Sequence, residues 1–433
     1  MSTDVVAVIG FLVLFLLMLL RVPVGMAMGL VGVVGFSYFT NGEAALKIVG
    51  HTSMRTVTDW NFAVVPLFLL MGSFATTSGM SRELFRGANG FLGHFRGGLG
   101  IATIAACGGF AAICGSSVAT AATFSRVAYP EMRRYGYPQS FATGVIAAGG
   151  TLGIMIPPST VFAVYGLITE QDVGKLFIAG VLPGALAVAM YVVTINIIGF
   201  ARPGFLPAGP RASWSERLEG LRDIWATLLL FIFVIGGIYG GLFTATEAAG
   251  MGAAGAFVIA VLRRRLSGDD IRRSLLETTR TTAAVFTVLI GAILFGYFLT
   301  VTQTPQKLTE FLSGLGLGPY GVLALIMLMY LVLGCLMDAL AMIILTVPII
   351  FPVIVALGFD PIWFGVIVVM TVELGLIHPP VGMNIFVIKS VIEDVKISTI
   401  FYGVLPFIIT DLLRLVILIV FPIIATFLPS KML

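Results

Sequence analysis

The stretch Gly149-Gly150-Thr151-Leu152-Gly153-Ile154-Met155-Ile156-Pro157-Pro158-Ser159 returns 222 residues later as Glu373-Leu374-Gly375-Leu376-Ile377-His378-Pro379-Pro380-Val381-Gly382-Met383-Asn384. Both lie in long apolar surroundings, and each contains two adjacent prolines. Proline has no N–H to give to a helix and disfavours helical backbone in the residue before it. Each stretch therefore reads as an interrupted transmembrane span, with carbonyls near Gly150 to Gly153 released from helical pairing. Hydrocarbon offers such groups no partner, so an interruption at membrane depth is tolerated only where it is buried or lines a polar cavity. A single instance could be a simple proline kink. Recurrence in the corresponding place of a second half weighs against that, because paired broken spans are the best pointer in a sequence to a transport site.

Composition agrees with a bilayer as solvent. Hydrophobic residues make up 58% of the chain and charged residues 11%, and the mean hydropathy is +1.07, far from the range of soluble domains. One membrane domain is expected, with little sequence left for a soluble one. Glycine, at 51 residues, suits close helix contacts and broken helices. The apolar run Val5 to Leu20 lacks a basic leader and a cleavage site, so it reads as a first span rather than a signal peptide. Cys107, Cys114 and Cys335 show no metal-ligand spacing and are expected to be small packing residues.

Apolar runs place spans near 4–20, 23–39, 60–78, 138–168, 176–200, 224–242, 245–262, 281–300, 362–391 and 398–427, ten crossings in all. Two further stretches, 98–129 and 319–353, are too long for one helix and too interrupted for two complete ones. Each reads as a re-entrant hairpin. At the offset of 222, Gly153 falls on Gly375 and Pro130 on Pro352; at 223, Pro138 falls on Pro361 and Leu182-Pro183 on Leu405-Pro406. This argues for a duplicated unit: residues 1–222 as the first repeat with a linker, and 223–433 as the second. Five crossings plus a hairpin that returns to the side it left put the second copy in upside down. The loops test this, since alternation places 19 Lys and Arg on one face and only Lys47, Arg55, Lys175, Lys307 and Lys431 on the other, with Arg414 inside the last span. Basic loops are cytoplasmic, so both termini are expected in the periplasm, hairpin one opening from the cytoplasm and hairpin two from outside.

The candidate site follows from the breaks. Hairpin one turns at Cys114-Gly115-Ser116-Ser117-Val118-Ala119-Thr120, where hydroxyls and freed carbonyls are hard oxygen ligands for a small cation and half-helix N-termini favour an anion. The bland alternative is hydroxyl glue between helices. Hairpin two turns at Gly334-Cys335-Leu336-Met337-Asp338-Ala339, and Asp338 reads equally as an N-cap or as a cation ligand. Glu373, His378 and Arg414 raise the same question, with a buried pair or a snorkelling side chain favoured for Arg414. The arginine-rich segment from Arg263 to Arg280 reads as a solvated cytoplasmic loop beside anionic lipid, without nucleic acid. Trp60, Trp214, Trp225 and Trp363 read as interfacial anchors. No P-loop, nucleophile elbow, HExxH or CxxC pair is found, nor a charged catalytic cluster at one membrane face, so a transporter is expected rather than an enzyme. A passive channel is the other alternative.

The strings GSSVATAATFSRVAYPEMRRYGY, AAGGTLGIMIPPS, LGCLMDALAMIILTVPI and LGLIHPPVGMNIFV resemble the large membrane (M) subunit of tripartite ATP-independent periplasmic (TRAP) transporters over essentially the whole chain. The resemblance implies an all-α polytopic fold of about ten spans and two hairpins, working as an elevator in a bacterial inner membrane. It implies uptake of an organic acid delivered by a periplasmic substrate-binding (P) protein, beside a small four-span (Q) subunit, driven by sodium with no other cofactor. By motif, one sodium site would take Ser116 and Ser117 with carbonyls near Gly150 and Gly153. A second would take the turn Gly334 to Asp338 with carbonyls near Glu373 and Gly375. Thr120, Thr151, Pro157, Pro158, Pro379, Pro380 and Asn384 are the candidates for substrate contact. The family looks related to one-component divalent-anion:sodium symporters, which leaves a sodium/dicarboxylate symporter as the alternative. The first hairpin tip here lacks the Ser-Asn-Thr of those proteins, which favours the tripartite reading.

Overall fold

Proline, glycine and capping residues divide the apolar chain into helices, and these are seen in a computed structural model that describes residues 2–335 and 337–432. Among the described residues there is no strand, only an isolated bridge between Arg96 and Ala208. The first half runs α1 (Thr3–Leu19), α2 (Val24–Phe39), α3 (Gly42–Thr58), α4 (Val64–Thr77), α5 (Met80–Leu92), α6 (Gly98–Cys114), α7 (Ser117–Arg134), α8 (Gln139–Met155), α9 (Thr160–Thr169) and α10 (Val173–Ala201). The second runs α11 (Trp214–Tyr239), α12 (Ala245–Leu262), α13 (Gly268–Val301), α14 (Thr304–Gly314), α15 (Gly318–Gly334), α16 (Ala339–Ala356), α17 (Pro361–Gly375), α18 (Met383–Val391), α19 (Ile397–Val420) and α20 (Ile423–Thr426). Helices α1–α10 correspond in order to α11–α19, with α13 covering both α3 and α4, which Asp59 and a short 3-10 turn at Trp60–Ala63 keep apart in the first half, and the four-residue α20 has no counterpart.

Packing crosses between the halves. Helix α2 lies on α13 while α12 lies on α4, and α18 lies on α7 while α9 lies on α16. Each half-helix beyond a proline break thus packs against the other half's hairpin, the pattern a two-fold relation between the copies gives. Helices α2 and α13 close to backbone contact: a Cβ added to Gly25 would meet the carbonyl of Thr287 at 2.6 Å. One apolar cluster holds hairpin one, α8, α18 and α19 through Phe110, Phe124, Val145, Ile388 and Phe407. The other joins the outer helices to α9, α16 and α17. Leu12, Leu19, Phe200, Ile232 and Leu413 are more than half exposed, a surface suited to lipid tails.

The expected crossings map onto these helices with shifted ends. Among the described residues eight segments are long and apolar enough to cross a membrane, one of them Ala339–Ala356, the second arm of hairpin two. The other three expected crossings fall short on length alone: α1 and α2 have 17 and 16 residues, and α17 and α18 are separated by the break. The span expected at 224–242 starts at Trp214, where Ser213 and Glu216 form a capping box. The one expected at 281–300 starts at Gly268, and the last ends at Val420. The hairpin arms reach 98–134 and 318–356, beyond the 98–129 and 319–353 expected.

Two local expectations are corrected. Trp363 is buried, with its indole N–H donating to the Leu418 carbonyl at 2.9 Å, so it is a core residue; the other three tryptophans are exposed. The segment from Arg263 is not a free loop. Arg263 and Arg265 clamp the buried carboxylate of Glu83 at 2.6 and 2.5 Å, and the helix resumes at Gly268.

Candidate functional site

Because Pro157 and Pro158 carry no N–H, the carbonyls of Gly153 and Ile154 lack the donors that a continuous helix would supply four residues on. Helix α8 stops at Met155, and Ser159 caps the outgoing α9. Hairpin one brings its tip to this gap. A Cβ at Gly153 would lie 2.4 Å from the Ser116 carbonyl oxygen and 2.8 Å from the Ser117 amide, so only glycine admits the approach. Gly115, in the left-handed region at φ 62°, faces the Pro158 carbonyl, and the Thr160 hydroxyl donates to the Gly115 carbonyl at 3.2 Å. Ser116 caps α7, its hydroxyl accepting from the Ala119 amide at 3.3 Å. Ser117 is buried beside it, and Thr120 donates back to the Ser116 carbonyl at 2.7 Å.

The second half repeats the contact. Gly375 ends α17 against Gly334 at the tip of hairpin two, where an added Cβ would be 2.6 Å from the Gly334 Cα. Pro379-Pro380, like Pro157-Pro158, is a cis pair. Asp338 caps α16, one carboxylate oxygen accepting from the amides of Leu340 and Ala341 at 3.1 Å each. The capping role is therefore occupied, and the residue is exposed as well. Leu336, quoted above in this turn, lies outside the described residues.

The two breaks meet at Asn384. Its backbone N–H donates to the Leu376 carbonyl at 3.0 Å across the second break, while its side chain lies against Gly150 of the first, 3.2 Å from where a Cβ would stand. This amide is wholly buried, and neither its nitrogen nor its oxygen has a hydrogen-bond partner among the described residues. A buried amide without partners is costly, and such exceptions ask for an explanation.

The structure thus gathers Ser116, Ser117, Thr120, Gly150, Gly153, Pro157, Pro158 and Asn384 at one break, and Gly334, Gly375, Pro379 and Pro380 at the other, while the exposed Asp338, among the described residues, bonds only to its own helix. The side chains of Thr151 and Glu373 point elsewhere. Thr151 donates to the Ala148 carbonyl at 2.7 Å and lies 3.2 Å from the Tyr191 hydroxyl, and Glu373 pairs with Arg414 at 3.1 Å. Arg414 also meets Asp411 at 3.0 Å, and all three charged side chains are fully buried. The buried pair favoured for Arg414 is what the structure holds. Asp411 and Tyr191 were not singled out in the sequence, although an acidic residue inside an apolar span, three positions from an arginine, is a readable signal.

Among the described residues no three His, Cys, Asp or Glu side chains converge. The groups at the first tip are carbonyl and hydroxyl oxygens, hard donors suited to a small hard cation, whereas at the second the Cys335 thiol donates to the Pro379 carbonyl at 3.3 Å beside His378, with the Asp338 carboxylate at the start of α16. A cleft of about 1140 Å³ lies away from them, between α3 and α13 on one side and α9, the α9–α10 turn and α16 on the other, lined by His51, Arg55, Tyr297 and Phe351. It contains none of the candidate residues, and the broken backbone locates the site better than volume does.

Comparison with known proteins agrees with this architecture. The profile of the Tripartite ATP-independent periplasmic transporter, DctM component, matches residues 11–424. The C4-dicarboxylate TRAP transporter large permease protein DctM of Pseudomonas aeruginosa is 42% identical over 87% of this chain and 86% of its own length. The isethionate TRAP transporter permease protein DctMQ of Oleidesulfovibrio alaskensis is 33% identical over 92% of this chain and 62% of its own. The YdaH transporter of Alcanivorax borkumensis, described as having an unusual topology, superposes with a TM-score of 0.59 at 15% identity, over 89% of this chain and 88% of that one, a likeness of fold. The chain is a multi-pass membrane protein and belongs to the DctM family of TRAP transporter large permease subunits.

Proposed function

We propose that this chain is the membrane subunit that carries a small organic anion into the cell, with sodium ions bound at the two hairpin tips as the driving cargo. The observation that carries the reading is the doubled contact of a broken helix with a hairpin tip, at Gly153 with Ser116 and at Gly375 with Gly334. Paired discontinuous helices are how transporters present unpaired carbonyls to a cation and helix N-termini to an anion. The buried, partnerless amide of Asn384 supports an anion or substrate oxygen between the halves. Each net positive charge moving inward through about 100 mV supplies roughly 2.3 kcal/mol, so two sodium ions with a monoanion draw on the membrane potential, whereas with a dianion the charges cancel and the sodium concentration gradient alone drives uptake.

The cleft between the α3–α13 side and the α9–α16 side supports an elevator, since it parts the outer helices from the hairpin-bearing body. Both termini would face the periplasm of a bacterial inner membrane. The partners would be a periplasmic binding protein and a small four-span subunit; the length of the DctMQ relative beyond the region matched here is consistent with a second membrane component in the same chain. No catalysed reaction and no cofactor besides the ion belong to this reading. Substrate choice is left to the binding protein, as relatives named for C4-dicarboxylate and for the sulfonate isethionate suggest.

Uptake of labelled C4-dicarboxylate into proteoliposomes tests this. Transport is expected only with a sodium gradient, the binding protein and the small subunit together. Robust uptake by this chain alone would favour a one-component symporter, and uptake that neither saturates nor accumulates would mean a channel.

A further inference from the structure

A chain of buried polar groups runs behind the two breaks. The Thr151 hydroxyl of α8 lies 3.2 Å from the Tyr191 hydroxyl of α10 and is the donor in that contact, its hydrogen shared with the Ala148 carbonyl at 2.7 Å, because the Tyr191 hydroxyl gives its own hydrogen to Asp411 of α19, 2.8 Å from either carboxylate oxygen. Asp411 meets Arg414 at 3.0 Å, and Arg414 meets Glu373 of α17 at 3.1 Å. Arg414 also lies over the Tyr191 ring, 5.6 Å from its centroid. Every member is fully buried.

Its two ends have matching addresses. Thr151 stands two residues before Gly153, and Glu373 two residues before Gly375, the glycines that touch the hairpin tips. Two residues along a helix turn it by about 200°, so the side chain that enters the chain of groups and the glycine that meets the tip lie on opposite faces of the same turn. A rotation that altered either tip contact would move Thr151 or Glu373 out of reach. A buried ion pair is poor value for stability alone, and here it fixes the relative setting of two interrupted helices that have no continuous helical bonding to do so.

We propose that Tyr191, Asp411 and Arg414 are positioning residues that lock the two broken helices to each other, so that the two hairpin-tip ion sites fill together. This rests on the proposed sodium coupling. Without the lock each site would bind its ion independently and less tightly.

The test uses the assembled transporter in proteoliposomes, following uptake against sodium concentration. Tyr191→Phe removes only the hydroxyl that links Thr151 to Asp411, and Asp411→Asn removes the charge it meets. Both variants are expected to raise the sodium concentration for half-maximal uptake about tenfold, the scale of one hydrogen bond to a charged group. They should also flatten the sodium curve toward a Hill coefficient of one, while the rate at saturating sodium is kept. Thr194→Val is the control: it removes a hydroxyl pair, Thr194 with Thr410 at 2.5 Å, on the same α10–α19 interface but outside the chain of groups. Its sodium curve should match the unaltered protein. The proposal is overturned if Tyr191→Phe and Asp411→Asn lose rate or expression with the midpoint and steepness unchanged. It is overturned equally if Thr194→Val shifts the curve as far as they do. An unaltered transporter indifferent to sodium would defeat the coupling itself, a separate outcome visible before any variant is made.

Discussion

Thr151 and Glu373, 222 residues apart, hold the same station on the two broken helices, and each turns its side chain to the α10–α19 side. Their partners correspond too, since Tyr191 and Arg414 are 223 residues apart and face Thr151 and Glu373 respectively. One backbone device thus carries a neutral pair in the first half and an ion pair in the second. Asp411 belongs to both, accepting from Tyr191 and pairing with Arg414.

Arg414 compensates two carboxylates at once, so it is the member whose loss costs most. Arg414→Met leaves Glu373 and Asp411 buried without a counter-ion, and removing one partner of a buried pair costs about 3–5 kcal/mol. Thermal unfolding of the purified protein should show that loss. Arg414→Met combined with Glu373→Leu and Asp411→Leu should recover most of it. An Arg414→Met protein as stable as its parent would mean that the carboxylates are not buried as described.

Gly153 and Gly375 are expected to tolerate no side chain. The atoms a Cβ would meet are backbone atoms of Ser116, Ser117 and Gly334, which cannot swing aside. Gly153→Ala and Gly375→Ala should each cost about 1–3 kcal/mol and cut uptake at least about tenfold by forcing the tip off the broken helix. Alanine at Gly296, where a Cβ would meet nothing within 4 Å, is the comparison and should leave uptake intact.

The breaks were legible in the sequence because proline acts through a missing N–H that no fold can restore, and the duplication because prolines and glycines recur at fixed offsets. Hairpin ends were readable to within a few residues, since an apolar run does not show where a cap falls. What the sequence withheld was side-chain direction. Thr151 and Glu373 stand in the right strings but face away from the tips, which follows from helix phase and from partners on α10 and α19 rather than from the strings themselves. Trp363 reads as an interfacial anchor by position along its span, and only packing against α19 shows it to be core. Glu83 is unremarkable until the fold brings Arg263 and Arg265, 180 or more residues away, onto it.

Asn384 separates folding from function most cleanly. Its amide is buried without hydrogen bonds, so an apolar replacement of similar size removes a penalty rather than an interaction. Asn384→Leu is expected to unfold at the same temperature or higher, while uptake falls at least about tenfold. Lower stability with normal uptake would show that the amide serves packing only.

Asp338 poses the opposite case, a side chain with one role visible and another proposed. A single carboxylate oxygen accepts both capping bonds, from Leu340 and Ala341, which leaves the second oxygen for a cation. Asparagine caps as well as aspartate, whereas alanine forfeits about 1 kcal/mol. Asp338→Asn should therefore keep the stability of the protein yet raise the sodium requirement for uptake, because the charge is gone while the cap persists. Asp338→Ala should lose both. If Asp338→Asn transports with an unchanged sodium curve while Asp338→Ala is merely less stable, the residue is a cap, and the second ion site must be built from the carbonyls beside Gly334 and Gly375 without it.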